Sequence, residues 1–495
     1  VAAPEALPAL PPGKRRAAVG LGLYSLLLIQ AVSSFLIVRW MGERNAFGIV
    51  ASHVPAATAT SAPRASAVDI EFHVLVTLVA VIGAGHLLAR LFRRWGQPPV
   101  VGEVVAGICL GPSVLGYFAP SLMHQLIPST TADPQGAVAA ALKMIGELGV
   151  LLYMFVVGLD LNLVKLRNKA GAAVAISHAS ILFPFVLGAV LSLWLHPLYA
   201  PENIAFTPFA LFLGIAMSIT AFPVLARILT DRNLETTPLG MMAMACAAAD
   251  DATAWCLLAV VVGIVQTQAG STIAVCLSAL GYILAMFVVV RPLVVAWCRR
   301  VDLQVGALTN GVLAAGCVGA LLSALITKTI GIHAIFGAFL LGAVIPSDSR
   351  VAGFLKTRLR DSVTVLLLPA FFAYTGMRTQ IGLVSGWQQW LAVAVIIVVA
   401  TAGKFGGTVM AARWTGIGWR DSAALGVLMN TRGLMELIVL NIGLDLGVIS
   451  PTLFAMMVLM ALVTTISTSP ILARLMPESL KAEPPTLAPA RPPLR

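Results

Sequence analysis

Two adjacent carboxylates, Asp250 and Asp251, stand in the run MACAAADDATAWCLLAV (244–260), whose other residues are nearly all apolar. Placing an acid at the middle of a lipid-spanning helix costs roughly 2.5–3.5 kcal/mol. Two readings are open: a buried cation satisfies the pair, or the acids bind a travelling cation or proton. Neighbouring helix positions are about 100° apart, so the two carboxylates cannot point the same way. One can face a fixed partner while the other faces a cavity. The partner at hand is Lys404, deep in the apolar stretch TAGKFGGTV (401–409). Glycines 403, 406 and 407 make that helix face small enough for another helix to come close. A Lys–Asp pair would offset part of the burial cost of both groups.

Two other apolar stretches are interrupted by polar residues and helix breakers. One is GIAMSITAFPVLARIL (214–229), with Ser218, Thr220 and Pro223. The other is GVLMNTRGLMELIVLNIG (426–443), with Asn430, Thr431, Arg432, Gly433 and Glu436. Paired broken helices in corresponding places of two halves point to a transporter's ion site. Pro223 removes a backbone donor and is expected to free a carbonyl one turn back. Such a carbonyl can face an ion only where it lines a cavity rather than lipid. Arg432 and Glu436 are four apart, so they pair locally or belong to the ion path. Lys143 and Glu147 share that spacing and read as structural. Glu103 reads as solvated or helix-pairing near a helix end. His178 is either a pH-sensitive group or simply hydrogen-bonded. Asp160 and Asp348 flank loops and need no special role.

The elements that must position these groups follow from composition. The chain has 495 residues, 59% of them hydrophobic and 11% charged. Soluble domains carry about 25% charged residues, so the bilayer is the solvent here. A backbone in lipid must satisfy its own hydrogen bonds, and apolar runs of this length do so as helices. Fourteen segments are expected, at about 17–38, 71–92, 99–118, 137–159, 171–196, 205–229, 237–264, 271–298, 304–327, 331–346, 362–378, 386–412, 418–443 and 451–473. With both termini cytoplasmic, 23 of the 32 Lys and Arg fall on the cytoplasmic side and 5 on the other. That asymmetry fits fourteen crossings. The first segment is longer than a signal-peptide core and reads as a retained helix. The loop at about 39–70 and the proline-rich tail from 476 are expected to lack regular structure.

The net charge of +11 fits cytoplasmic loops rather than nucleic-acid binding. The six cysteines (109, 246, 256, 276, 298, 317) lie in apolar runs with no CxxC pair, as packing residues do. No phosphate loop, metal cluster or nucleophile elbow supports an enzyme.

Several stretches together resemble the monovalent cation:proton antiporter-2 family, in the branch of plant and bacterial cation/H⁺ exchangers. They are QPPVVGEVVAGICLGPSVLG (97–116), SITAFPVLARILTDRNLETTPLG (218–240), AAADDATAWCLLA (247–259), GIHAIFGAFLLGAVIP (331–346), LLLPAFFAYTGMRT (366–379), GKFGGT (403–408) and NTRGLMELIVLNIG (430–443). The resemblance implies an all-α polytopic membrane protein. Its fold would be the thirteen-helix NhaA/NapA-like one plus an extra N-terminal helix, with inverted repeats and two crossed broken helices. It implies an N-terminal region (1–70), an antiporter membrane domain (71–475) and a short tail (476–495). Core helices would lie at about 171–264 and 386–473, and dimer or scaffold helices at about 71–159 and 271–346. Asp251 matches the family's cation- and proton-binding aspartate. Asp250 matches a position that is Asp in electrogenic members, and Lys404 the lysine that pairs with it there. Ser218, Thr220, Asn430, Thr431, Arg432 and Glu436 fall in the broken helices. The larger family members carry a C-terminal cytosolic domain beyond the stretch matched here.

These readings converge on a secondary active exchanger of Na⁺ or K⁺ for H⁺ in a bacterial plasma membrane. It would act as a homodimer, with no cofactor beyond the transported ions. A cation needs Asp251 ionised and a proton neutralises it, so the two compete. If the Asp250–Lys404 pair also cycles a proton, exchange is electrogenic. The alternatives are a sodium-coupled organic-solute symporter of the same fold and a passive cation channel.

Overall fold

A computed structural model describes residues 30, 32–41, 43, 70–126, 136–160, 170–234, 237–266, 272–304, 308–331 and 333–476. Among the described residues there are helices and no strands. Most of the expected first segment, nearly all of the 39–70 loop and the tail from 477 lie outside them. What is described of the first segment is a helix, α1 (Val32–Met41), which runs past the expected end at 38. Its Phe35 ring lies 5.8 Å from Phe185, and its Val38 is buried against the core helices described below.

From residue 70 onward a helix falls on every expected segment. The order is α2 (Ile70–Arg94), α3 (Pro99–Leu110), α4 (Ala137–Asp160) and α5 (Ala170–Tyr199). Next come a split helix, α6a (Phe206–Ser218) and α6b (Phe222–Asp231), and then α7 (Pro238–Gln266). Helix α8 runs from Thr272–Ala285 through a π turn, Met286–Val290, into Arg291–Leu303. It is followed by α9 (Asn310–Ile330) and α10 (Ala334–Val344). Helix α11 runs from Arg350–Ser362 through a second π turn, Val363–Leu367, into Leu368–Arg378. The last elements are α12 (Trp387–Trp414), a second split helix, α13a (Trp419–Met429) and α13b (Leu434–Asp445), and α14 (Pro451–Leu475). A proline, Pro292 or Pro369, opens the stretch after each π turn. The widened turn accommodates its missing amide.

Among the described residues ten elements, Pro99–Phe118 counted as one, are long and apolar enough to cross a membrane, or eleven when α13a and α13b, bent by 44°, count as one span. The expected fourteen exceeds this. Helix α10 has 11 residues, which at about 1.5 Å each cover roughly half of a 30 Å hydrocarbon layer. Helix α11 begins with the charged turn RVAGFLKTRLRDS.

Close backbone approaches sort the helices into two groups. In one, a Cβ added at Gly376 of α11 would lie 2.0 Å from the Gly107 carbonyl carbon of α3, and one at Gly342 of α10 would lie 2.2 Å from the Phe155 carbonyl oxygen of α4. In the other, Gly403 and Gly407 of α12 press on Pro184 and Ala179 of α5. Because 403 meets 184 while 407 meets 179, α5 and α12 run antiparallel. Each opens a triplet of long helix, split helix, long helix: α5–α6–α7 and α12–α13–α14. Two such triplets with antiparallel first helices are the arrangement of an inverted repeat.

Candidate functional site

The site lies where the two split helices cross. Helix α6a stops at Ser218, and Ile219 and Ala221 are extended. Pro223 then opens α6b as one of its first residues. This corrects the expectation of a mid-helix proline freeing a carbonyl one turn back. At a helix start the missing amide would have had no intrahelical partner anyway. The second break spans Asn430–Gly433, between α13a and α13b. The breaks bond to each other. The Ala221 amide donates to the Thr431 carbonyl at 3.0 Å, and Thr220 Oγ1 lies 3.2 Å from the Met429 carbonyl.

The C-terminus of α6a therefore presents unpaired carbonyls and a partial negative charge to the molecule's interior. Two cations meet it. Lys404 Nζ donates to the Ser218 carbonyl. Arg432 donates to the Ala216 carbonyl at 3.1 Å and to the Met217 carbonyl at 2.6 Å. Arg432 also donates to Glu436 Oε2 at 3.0 Å, and neither side chain of that pair is exposed. The local pairing allowed by their spacing is thus formed.

Asp250 is fully occupied. Its Oδ1 accepts from Ser177 Oγ at 2.6 Å. Its Oδ2 accepts from Ser180 Oγ at 2.7 Å, Thr220 Oγ1 at 2.7 Å and Lys404 Nζ at 2.9 Å. Asp250 and Lys404 are both 0% exposed. The two serines were not singled out in the sequence. Their spacing of three on α5 puts both hydroxyls on one helix face, which was the available signal.

Asp251 is the opposite case. It is 1% exposed, and neither carboxylate oxygen makes a hydrogen bond. Asp251 lines a narrow space walled by Ile219 at the first break, by Met435 and Val439 of α13b, and by its own helix.

The remaining candidates divide. Thr220 joins the Asp250 cluster, as above. The Ser218 hydroxyl does not: its one proton is shared between the Gly214 carbonyl at 2.7 Å and the Ile181 carbonyl at 2.9 Å, and only its carbonyl serves the site. Thr431 Oγ1 donates to the Leu428 carbonyl at 2.8 Å. Asn430 Nδ2 reaches Thr401 Oγ1 at 3.5 Å, and its Oδ1 has no partner. Outside the site, His178 Nδ1 is bonded to the Val174 carbonyl at 2.8 Å. Asp160, read as needing no special role, forms ion pairs with Lys356 at 2.9 Å and with Arg360. Lys143 is 3.8 Å from Glu147 and 2.9 Å from Asp445, so its closer partner lies on another helix.

Crossed, broken helices from two antiparallel triplets, enclosing buried carboxylates, define a multi-pass secondary transporter of the inverted-repeat class. The chain belongs to the family described as sodium/hydrogen exchanger, transmembrane, whose pattern it matches over residues 74–474. The sequence is 44% identical over 406 residues to the Na⁺/H⁺ antiporter NhaS4 of Synechocystis, covering 82% of this chain and 97% of that protein. It is 37% identical over 407 residues to cation/H⁺ antiporter 20 of Arabidopsis thaliana, covering 80% of this chain and 47% of that one. The chain thus spans nearly all of the first relative and about half of the second. The fold is like that of the sodium proton antiporter MjNhaP1 of Methanocaldococcus jannaschii, with a TM-score of 0.62 at 12% identity, over 82% of this chain and 96% of that one. The family resemblance drawn from the motifs holds.

Proposed function

We propose that this protein exchanges a monovalent cation, Na⁺ or K⁺, for protons, with Asp251 as the carboxylate both ions share. The observation that carries this reading is the contrast between the two acids. Asp250 has four donors, whereas Asp251 is buried with none. Charge counting supports it. Asp250, Asp251 and Glu436 carry three formal negative charges, and Lys404 and Arg432 carry two positive ones. The buried set is one positive charge short of neutral. One bound cation or one proton on Asp251 balances it.

Exchange follows from the cost of charge in a dry gate. A bare carboxylate is expensive to carry through apolar surroundings, and one neutralised by either ion is cheaper. The loaded site moves; the empty one does not. If the Lys404–Asp250 pair also takes up and releases a proton, two protons cross per cation. One net charge then moves, worth about 2.3 kcal/mol per 100 mV. The presence of Asp250 and Lys404 as a buried pair 2.9 Å apart supports this electrogenic form. The charge asymmetry of the loops supports cytoplasmic termini in a bacterial plasma membrane. Exposed apolar side chains on α2 (Val79, Leu87) and on α9 (Leu322, Leu325) support a homodimer contact there.

The test is proteoliposome exchange with an internal pH dye and additions of Na⁺, K⁺ or Li⁺. The native protein is expected to move protons on addition of its cation, and Asp251→Asn to lose that movement. Native exchange in the variant overturns the assignment of Asp251. No proton movement in the native protein with any of the three ions overturns antiport itself.

A further inference from the structure

Helix α14 carries the hydroxyl-rich run VTTISTSP (463–470), in which Thr464, Thr465, Thr468 and Ser469 are buried. A threonine inside a helix can spend its hydroxyl on a carbonyl one turn back. Thr464 does so, donating to the Met460 carbonyl at 2.9 Å. Thr465 does not. Its Oγ1 accepts from the Arg432 amide at 2.9 Å and donates to the Arg432 carbonyl at 2.7 Å. The proton serves one bond and a lone pair the other, so the two do not compete.

These bonds answer a need created by the break. Arg432 lies between α13a and α13b, where its backbone has left the helical ladder. In a dry interior both of its backbone groups need partners. Thr465 supplies both from another helix. The residue it fixes is also one that reaches the first break. The Arg432 guanidinium holds the Ala216 and Met217 carbonyls of α6a, and the adjoining Thr431 carbonyl accepts from the Ala221 amide. The first break in turn carries Thr220, bonded to Asp250, and Ile219, beside Asp251. A chain of contacts thus runs from Thr465 to both aspartates. The repeat points the same way, since α7 and α14 are the third helices of their triplets. Asp250 lies 30 residues after the Thr220 it binds, and Thr465 lies 33 residues after the Arg432 it binds. In each half the third helix sends a side chain to its own triplet's break. The first half sends a carboxylate and the second a neutral hydroxyl.

We infer that Thr465 is a positioning residue for exchange, setting the backbone of the second break so that Arg432 and Thr431 hold the first break in register with Asp250 and Asp251. This rests on the antiport reading above. Thr465 acts through Arg432 and not on an ion. Without its hydroxyl the Arg432 amide and carbonyl lose these partners, and unmade buried bonds are costly enough for the break to shift. The first break follows, and the surroundings of Asp251 change with it.

The test compares Thr465→Val, which keeps the shape and loses the hydroxyl, with Thr465→Ser, which keeps the hydroxyl. Thr464→Val removes a hydroxyl that bonds only within α14. Each full-length variant is purified by size exclusion and reconstituted, and proton movement is normalised to the folded protein. Thr465→Val is expected to raise KM for the transported cation roughly two- to tenfold, the net worth of one hydrogen bond. Its maximal rate at saturating cation stays within about twofold of native. Thr465→Ser recovers most of the KM, and Thr464→Val keeps the native value. A packing role alone would lower the yield and melting temperature of Thr465→Val but leave the KM of its folded fraction native. If Thr465→Val does not fold, Thr465→Cys, a weak donor and acceptor, takes its place in the same comparison. A native KM in the hydroxyl-free variant overturns the inference, as does a KM raised equally in Thr465→Ser. No proton movement by the native protein with Na⁺, K⁺ or Li⁺ overturns the antiport reading, and the inference falls with it.

Discussion

At the scale of single residues, the two neighbouring aspartates separate by environment. Asp250 accepts from Lys404 Nζ at 2.9 Å and from three hydroxyls. Removing one partner of a buried ion pair leaves a bare charge, at a cost of about 3–5 kcal/mol. Lys404→Met is therefore expected to lower the melting temperature of the detergent-purified protein, and adding Asp250→Asn to recover most of the loss. An unchanged melting temperature in the single variant would mean that Lys404 does not neutralise Asp250. The partnership of Asp250 and Lys404 was legible in the sequence because a lysine deep in an apolar run has few other uses. Ser177 and Ser180 were not, because serine is common in lipid-spanning helices and its hydroxyl can bond locally. Ser218 shows that ambiguity: it lies at the break, yet its hydroxyl goes back to the carbonyl four residues earlier.

At the scale of elements, apolar runs located the helices because a continuous apolar run of about 20 residues satisfies its backbone in lipid as a helix. They located the breaks because proline, glycine and clustered polar residues interrupt otherwise apolar stretches. They did not give the lengths. The stretch 331–346 reads as a span, but Gly331 ends α9 in a left-handed conformation, φ +94°, and α10 keeps 11 residues. Nor did they say which glycines press on a neighbour. Two glycines of α11 make the contrast testable. A Cβ at Gly376 would lie 2.0 Å from the backbone of Gly107, whereas one at Gly353 would meet nothing within 4 Å. Gly376→Ala is expected to destabilise by about 1–3 kcal/mol through overpacking. Gly353→Ala, on an exposed helix position, is expected to be neutral or to stabilise by up to about 1 kcal/mol. Thermal melts of the two variants check this, and equal shifts would mean that α11 does not seat on α3 through Gly376.

At the scale of the whole molecule, the tight backbone contacts within each helix group contrast with what joins the groups. Near the C-terminal end of α3 the bridges are polar side chains. Asp445 of α13b takes Lys143 of α4 at 2.9 Å and Arg378 of α11 at 2.6 Å. Asn441 of α13b donates to Thr375 Oγ1 at 2.8 Å and accepts from Arg378 at 3.2 Å. Before the opposite end of α3, Gln97 donates to the Ile466 carbonyl of α14 at 3.2 Å. Polar bridges can break and reform in two arrangements, whereas interlocked backbones move as a body. On the antiport reading proposed above, alternating access would require the α5–α7 and α12–α14 group to shift against the other, with Asp251 carried along. A link across the line should stop that shift. Thr375→Cys with Asn441→Cys, in a chain whose six native cysteines are replaced, puts two thiols where side chains already meet. Joining them with a short cleavable thiol cross-linker is expected to abolish cation-driven proton movement in proteoliposomes. Cleaving the linker is expected to restore it, and either single cysteine treated alike should exchange as before. Native exchange by the cross-linked protein would show that the two groups need not move past each other at this contact.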